Sequence, residues 1–202
     1  MRDRKIFFTG DQHFYHAAIL QWTGRPFKHV EEMNEAMINS WNNVVHDGDR
    51  VFVLGDFIWH AGERRDRILS RLAGDICLIQ GDHDKGLRNC NAVKHLPQLH
   101  TIWLGNLVFV LCHWPLREWH MQYHGSIQLH AHCHGRGIAA GRQLDVGVDT
   151  HNFTPWTLEE VLETLDIHPE AGNSILRPEH PAYRNSNRLE NSNTLENLKV
   201  RS

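Results

Sequence analysis

Aspartate and histidine recur in this sequence at positions suited to divalent-cation chemistry. They occur as Gly10-Asp11-Gln12-His13, Gly55-Asp56, Gly81-Asp82-His83-Asp84, Cys112-His113 and His130-Ala131-His132-Cys133-His134-Gly135. Each group closes a short apolar run: Lys5 to Gly10, Val51 to Leu54, Ile76 to Ile79, Leu107 to Leu111 and Ile127 to His130. Strands at these runs would deliver Asp or His to their C-terminal ends, the edge at which open α/β sheets form ligand sites. Asp11 and His13 are two apart, as are His132 and His134, so in extended chain both members of a pair face one side. Mixed carboxylate and imidazole donors suit Mn, Fe, Zn, Ni or Co better than calcium. So many donors are too many for one ion and match two ions ~3.5–4 Å apart that share a carboxylate. Singly, Asp-x-His and His-x-His are weak motifs, and Gly-Asp after a strand is commonly a turn. Their joint occurrence, each after an apolar run, carries the weight.

The elements that must position these groups follow from the apolar spacing. Met33, Met37, Ile38 and Trp41 predict a helix over Val30 to Val45, and Ile68, Leu69 and Leu72 another over Arg64 to Leu72, with Gly74 as its cap. Strands and helices alternate here, which predicts a layered α/β core. The next part is expected to be more antiparallel. Thr101 to Leu104 and Leu107 to Leu111 flank a Gly105-Asn106 turn, and Ile127 to His130 and Leu144 to Val148 are two further strands. Thr157 and Glu160 form a capping box that opens a last helix, ending near Leu165. Residues 1–168 are expected to be one domain. Residues 169–202, rich in Asn and Ser, are expected to be a loosely packed or disordered tail.

Composition excludes several classes. The 202 residues carry a formal charge of −3, so no global basic field favours a long nucleic-acid duplex. The four cysteines, Cys77, Cys90, Cys112 and Cys133, form no CxxC pair, against a zinc ribbon or a thioredoxin-like motif. Met1 to Lys5 leads straight into a strand without a signal-peptide apolar region, and no apolar run reaches transmembrane length. A cytoplasmic protein with reduced thiols and no membrane association is expected.

The ordered set Asp-x-His, Gly-Asp, Gly-x-His-Asp, His and His-x-His resembles the signature of the calcineurin-like metallophosphoesterases, from Lys5 to about Leu165. Asp11 to His16, Arg25-Pro26-Phe27 and Leu144 to Asp149 further resemble a small bacterial and phage subgroup of phosphoesterases. The resemblance implies an α/β (α+β) fold: a β-sandwich flanked by helices, with a dinuclear metal site at strand C-terminal ends. It implies that Asp11, His13 and His134 hold one ion, that Asp82, His113 and His132 hold the other, and that Asp56 bridges them. Manganese is the ion most expected. His83 would stand beside the phosphate and Asp84 would orient it. The implied reaction is hydrolysis of a phosphomonoester or phosphodiester, in a small molecule or nucleotide, by a metal-bridging hydroxide. A nuclease or cyclic-nucleotide phosphodiesterase of the same fold is the alternative.

Two positions depart from the family pattern. Ala131 stands where the family has Gly, and Asp82 where it has Asn. A carboxylate adds negative charge and supplies no donor, which favours metal binding over phosphate attraction and opens a catalytically weak scaffold as a further alternative. Arg25 and Arg117 are expected to grip phosphate, ahead of Arg88 and Arg136, and His16 to line the site. Trp114 and Trp119 fit core packing better than base stacking. No Gly-x-Ser-x-Gly motif occurs, and Cys133 should face away from its flanking histidines.

Overall fold

The computed structural model describes residues 3–138 and 141–167; the tail expected over 169–202 lies outside them. In chain order the elements are β1 (Ile6–Thr9), α1 (Ile19–Thr23), α2 (Val30–Val44), β2 (Arg50–Val53), α3 (Glu63–Leu69), β3 (Asp75–Ile79), β4 (Lys94–Leu96), β5 (Leu99–Leu104), β6 (Leu107–Cys112), β7 (Ile127–His130), β8 (Gln143–Asp145), β9 (Trp156–Thr157) and α4 (Leu158–Thr164). They build two sheets, ordered β4-β3-β2-β1-β9 and β5-β6-β7-β8. In the first sheet β1 to β4 run parallel and β9 closes the edge antiparallel to β1.

Period-two alternation makes two cores from one sheet. Phe7, Val51, Val53, Ile76 and Leu78 face α2 and α3, packing with Met33, Met37, Trp41 and Ile68. Phe8, Phe52, Leu54, Cys77 and Ile79 face the second sheet, with Phe109, Leu111, Ile127, Leu129 and the α4 residues Val161 and Leu162. Phe8 stacks on Phe52 at 5.6 Å and on Phe109 of the opposite sheet at 5.7 Å. The Thr157–Glu160 capping box forms as expected.

The second sheet departs from the antiparallel expectation. Leu104 pairs with Leu107 across the two-residue turn, with Gly105 at φ +59°, but β6, β7 and β8 run parallel. The connection 113–126 is too long for a hairpin and carries the chain back before β7 begins. His113 and His130 to His134 are thereby delivered to one edge. The strand expected over Leu144 to Val148 stops at Asp145. There Gly147 N–H donates to Asp145 Oδ1 at 2.9 Å, and the Thr150 hydroxyl is within hydrogen-bond reach of the Asp145 and Gly147 carbonyls at 2.9 and 2.8 Å. These bonds replace ladder pairing with a turn. No helix among the described residues is long and apolar enough to cross a membrane, and all four cysteines are unpaired.

Candidate metal centre

The loops after β1 and β2 are zipped together by their backbones. Asp11 N–H donates to Gly55 O at 2.9 Å and His13 N–H to Asp56 O at 2.8 Å. At Gly55, φ is +90° and an added Cβ would come within 2.6 Å of His113 Nδ1 and 2.7 Å of the Gly81 backbone, so only glycine fits. A Cβ at Gly10 would meet that of Ala131 at 2.6 Å, which explains how the buried Ala131 methyl is accommodated.

These loops place three clusters whose donor atoms lie within 4.8 Å of one another: Asp11–His13–His134, Asp82–His113–His132 and Asp11–Asp56–His113. Asp56 Oδ2 stands between the first two, 3.5 Å from His13 Nε2 and 3.6 Å from His113 Nε2. Donors held ~2.1 Å from a common ion are themselves roughly 3–4 Å apart, and these separations fit. The partner pattern fits as well. Asp11 is wholly buried, and neither of its carboxylate oxygens has a hydrogen-bond partner; nor does His13 Nε2. A buried carboxylate without partner or counter-ion is strongly disfavoured. In the metal-free chain burial, reinforced by Asp145, Asp56 and Asp149, pushes the Asp11 carboxyl well above its ordinary range. Divalent cations bound between the clusters would satisfy these orphaned atoms together.

The pairwise extended geometry expected for the ligands is not what forms. Asp11, His13, Asp56, His132 and His134 take left-handed φ of +57°, +51°, +51°, +69° and +50°, a region costly for non-glycine residues and concentrated at functional sites. The turning backbone sends His132 and His134 to different clusters rather than to one side. Cys133 is half-buried and belongs to none of the three.

Surrounding groups fix the imidazoles. His113 Nδ1 must donate to Leu54 O at 2.7 Å, which leaves Nε2 its lone pair. His134 Nδ1 donates to Asp149 Oδ2 at 2.7 Å. Burial is the strongest influence on Asp149 and raises its pKa, but the hydrogen bonds from His134 and Arg25 outweigh it and bring the carboxyl down to about 2. His16 Nδ1 lies 3.0 Å from His13 Nδ1. Burial, then the neighbouring His83, pushes His16 down to about 4. It is therefore neutral at pH 7, and one of the two Nδ1 atoms donates to the other while His13 Nε2 faces Asp56. Asp149 could have been found from the sequence only through the Leu144 to Asp149 resemblance, because it lies 124 residues from Arg25.

Three expected roles change. Arg25 does not grip phosphate. Its side chain is 1% exposed, and all five N–H donors are engaged: with both Asp149 oxygens at 2.8 and 2.7 Å, the Asp11 and Gln12 carbonyls at 2.6 and 2.9 Å, and Met33 Sδ at 3.4 Å. Asp84 does not orient His83. Its carboxylate accepts the N–H groups of Phe57 at 2.7 Å, Ile58 at 3.3 Å and Gly81 at 2.9 Å, tying the loops after β2 and β3 together. His83 is held instead by its backbone N–H on Asp56 Oδ1 at 2.9 Å, with its ring against Trp59 at 4.8 Å. Trp114 is not core: its indole N–H donates to Asp82 Oδ2 at 3.3 Å. Trp119 is buried as expected, and Arg117 is exposed in the segment after His113.

Replacing Asp11 with Asn should stabilise the metal-free chain while weakening its affinity for Mn. Removing an unpartnered buried charge should yield ~1–3 kcal/mol. The raised carboxyl pKa sets the sign: the penalty grows as pH rises above the unfolded value, so the difference should be larger at pH 8 than at pH 5. Calorimetric melting in chelator at both pH values checks this; a variant that melts below the parent at pH 8 would refute it.

The two sheets flanked by helices and the clustered edge fit the fold implied by the resemblance to the calcineurin-like metallophosphoesterases. The chain belongs to the family of the Methanocaldococcus jannaschii protein MJ1445, itself uncharacterized, with which it is 31% identical over 175 residues, spanning 82% of this chain and 94% of the relative. No family model matches the sequence. Among solved structures it resembles a protein of unknown function, AQ665 from Aquifex aeolicus, with a TM-score of 0.65 at 20% identity, over 80% of this chain and all of that one. This likeness establishes the fold alone. A Pseudomonas putida nuclease, MPE, matches more distantly, with a TM-score of 0.44 at 19% identity over 65% of this chain and 62% of that one.

Proposed function

We propose that the protein is a dinuclear, manganese-dependent hydrolase of phosphate esters. The observation that carries this reading is Asp56 Oδ2 poised between His13 Nε2 and His113 Nε2 at 3.5 and 3.6 Å, with a further carboxylate and histidine on each side. Asp11, His13 and His134 would hold one ion, Asp82, His113 and His132 the other, and Asp56 both. Two such ions supply Lewis-acid charge at the phosphoryl oxygens and a nucleophilic water at neutral pH. Three carboxylates against two divalent ions leave net positive charge to attract phosphate. The indole donor of Trp114 disperses part of the charge that Asp82 adds over Asn.

The chain's own groups complete the chemistry. His83, with a side chain 36% exposed and Nε2 3.8 Å from Asp56 Oδ2, faces the open side, where it gives a proton to the leaving oxygen. Asp84 keeps the His83 loop against the Asp56 loop, and His16 keeps His13 in register. Arg117, exposed in the segment after His113, would be available to a second phosphate oxygen. Metal-stripped protein titrated with Mn should take up two ions per chain and hydrolyse p-nitrophenyl phosphate or bis-p-nitrophenyl phosphate in step with them. The preferred ester separates monoesterase from diesterase. Uptake of one ion or none, or turnover indifferent to Mn, would overturn the proposal.

A further inference from the structure

Tryptophan is largely buried in most proteins, and Trp41, Trp119 and Trp156 obey that rule here. Trp22 and Trp59 do not, at 60% and 40% exposed, and both converge on one buried residue. His16 stacks on Trp59 with ring centres 3.9 Å apart and planes 12° apart, and it meets Trp22 edge-on at 5.2 Å. Trp59 also reaches His83 at 4.8 Å. His16 in turn lies 3.0 Å from His13 through their Nδ1 atoms. The two exposed indoles therefore border the mouth of the candidate centre, on the side of the proposed proton donor. The guanidinium of exposed Arg136 lies 3.4 Å from the Trp22 carbonyl and adds positive charge at the rim.

We infer that Trp59 and Trp22 form a stacking subsite for the base of a nucleotide whose phosphate lies at the metal centre. This deepens the phosphoesterase reading and rests on it for the phosphate. Indole faces supply sequence-tolerant affinity for a flat ring, and a base carries no charge that would need pairing at this wall. Sugar and alkyl phosphates would gain nothing from it, so nucleotides are the substrate class.

The test uses the full chain loaded with Mn and a matched pair of ligands, AMP and ribose 5-phosphate, which differ only in the base. Calorimetric titration should give AMP the tighter Kd by about tenfold or more, the scale of base–aromatic stacking. Trp59→Leu should bring the AMP to ribose 5-phosphate affinity ratio toward one. Trp22→Leu, at a more exposed position, should lower it in the same direction and covers the case in which Trp59→Leu fails to fold. Equal Kd values in the parent, or a ratio unchanged in Trp22→Leu and in folded Trp59→Leu, would overturn the inference. An adenosine titration followed by NMR separates the two readings. Trp59-dependent adenosine binding with no Mn-dependent gain from the phosphate would uphold the stacking subsite and refute the metal centre.

Discussion

Asp56→Ala should abolish the dinuclear centre, with Mn uptake falling from two ions to at most one and phosphoesterase turnover falling by about 10³-fold or more. The scale follows from losing a shared charged ligand, since metal charge stabilises the reacting phosphoryl group by several kcal/mol. The geometry explains why this one side chain matters to both halves. Oδ2 faces His13 Nε2 at 3.5 Å and His113 Nε2 at 3.6 Å, while Oδ1 accepts the His83 N–H at 2.9 Å. Its removal therefore takes a proposed ligand from each cluster and a tether from His83, the proposed proton donor. Asp56→Asn isolates the charge: an amide oxygen can still accept the His83 N–H but cannot neutralise two cations. Elemental analysis and a p-nitrophenyl phosphate assay decide the matter. Retention of two ions with turnover within tenfold of the parent would show that Asp56 does not bridge.

Arg25→Met should lower stability by about 3–5 kcal/mol, the usual result of removing one partner from a buried ion pair. At the sensitivity expected of a domain this size, that is a fall of roughly 10 °C in Tm. The variant takes both Arg25 bonds from the Asp149 carboxylate, leaving it only His134, and removes the Arg25 donors to the Asp11 and Gln12 carbonyls. Asp149 also positions His134 at 2.7 Å, so Mn affinity at the first cluster should drop by ~10–100-fold. Arg25→Lys should recover little, because one ammonium cannot reproduce a fork that serves a carboxylate and two carbonyls at once. Adding Asp149→Leu to Arg25→Met should restore part of the lost stability, since the stranded charge is removed with its partner. Thermal melting and Mn titration of the three variants check these outcomes; full activity and an unchanged Tm for Arg25→Met would refute the positioning role.

Local sequence sets the strands and what each carries at its end. Phe7 and Phe8, Val51 to Leu54 and Ile76 to Ile79 are apolar because both faces of β1, β2 and β3 are buried, a local pattern visible without coordinates. The Asp and His residues that follow are likewise local signals, as are the Gly105-Asn106 turn and the Thr157–Glu160 cap. The folded chain decided the rest. Whether β6, β7 and β8 pair parallel depends on where long connections return the chain, which periodicity does not encode. The left-handed turns that part His132 from His134 depend on the packing that pays their strain. The division of labour among polar groups was equally hidden. Arg25, Asp84 and Trp114 each look able to serve substrate, a neighbour or the core. Only the tertiary structure shows which partners occupy their hydrogen-bonding atoms, because a donor engaged by a residue 124 positions away leaves no trace in local spacing.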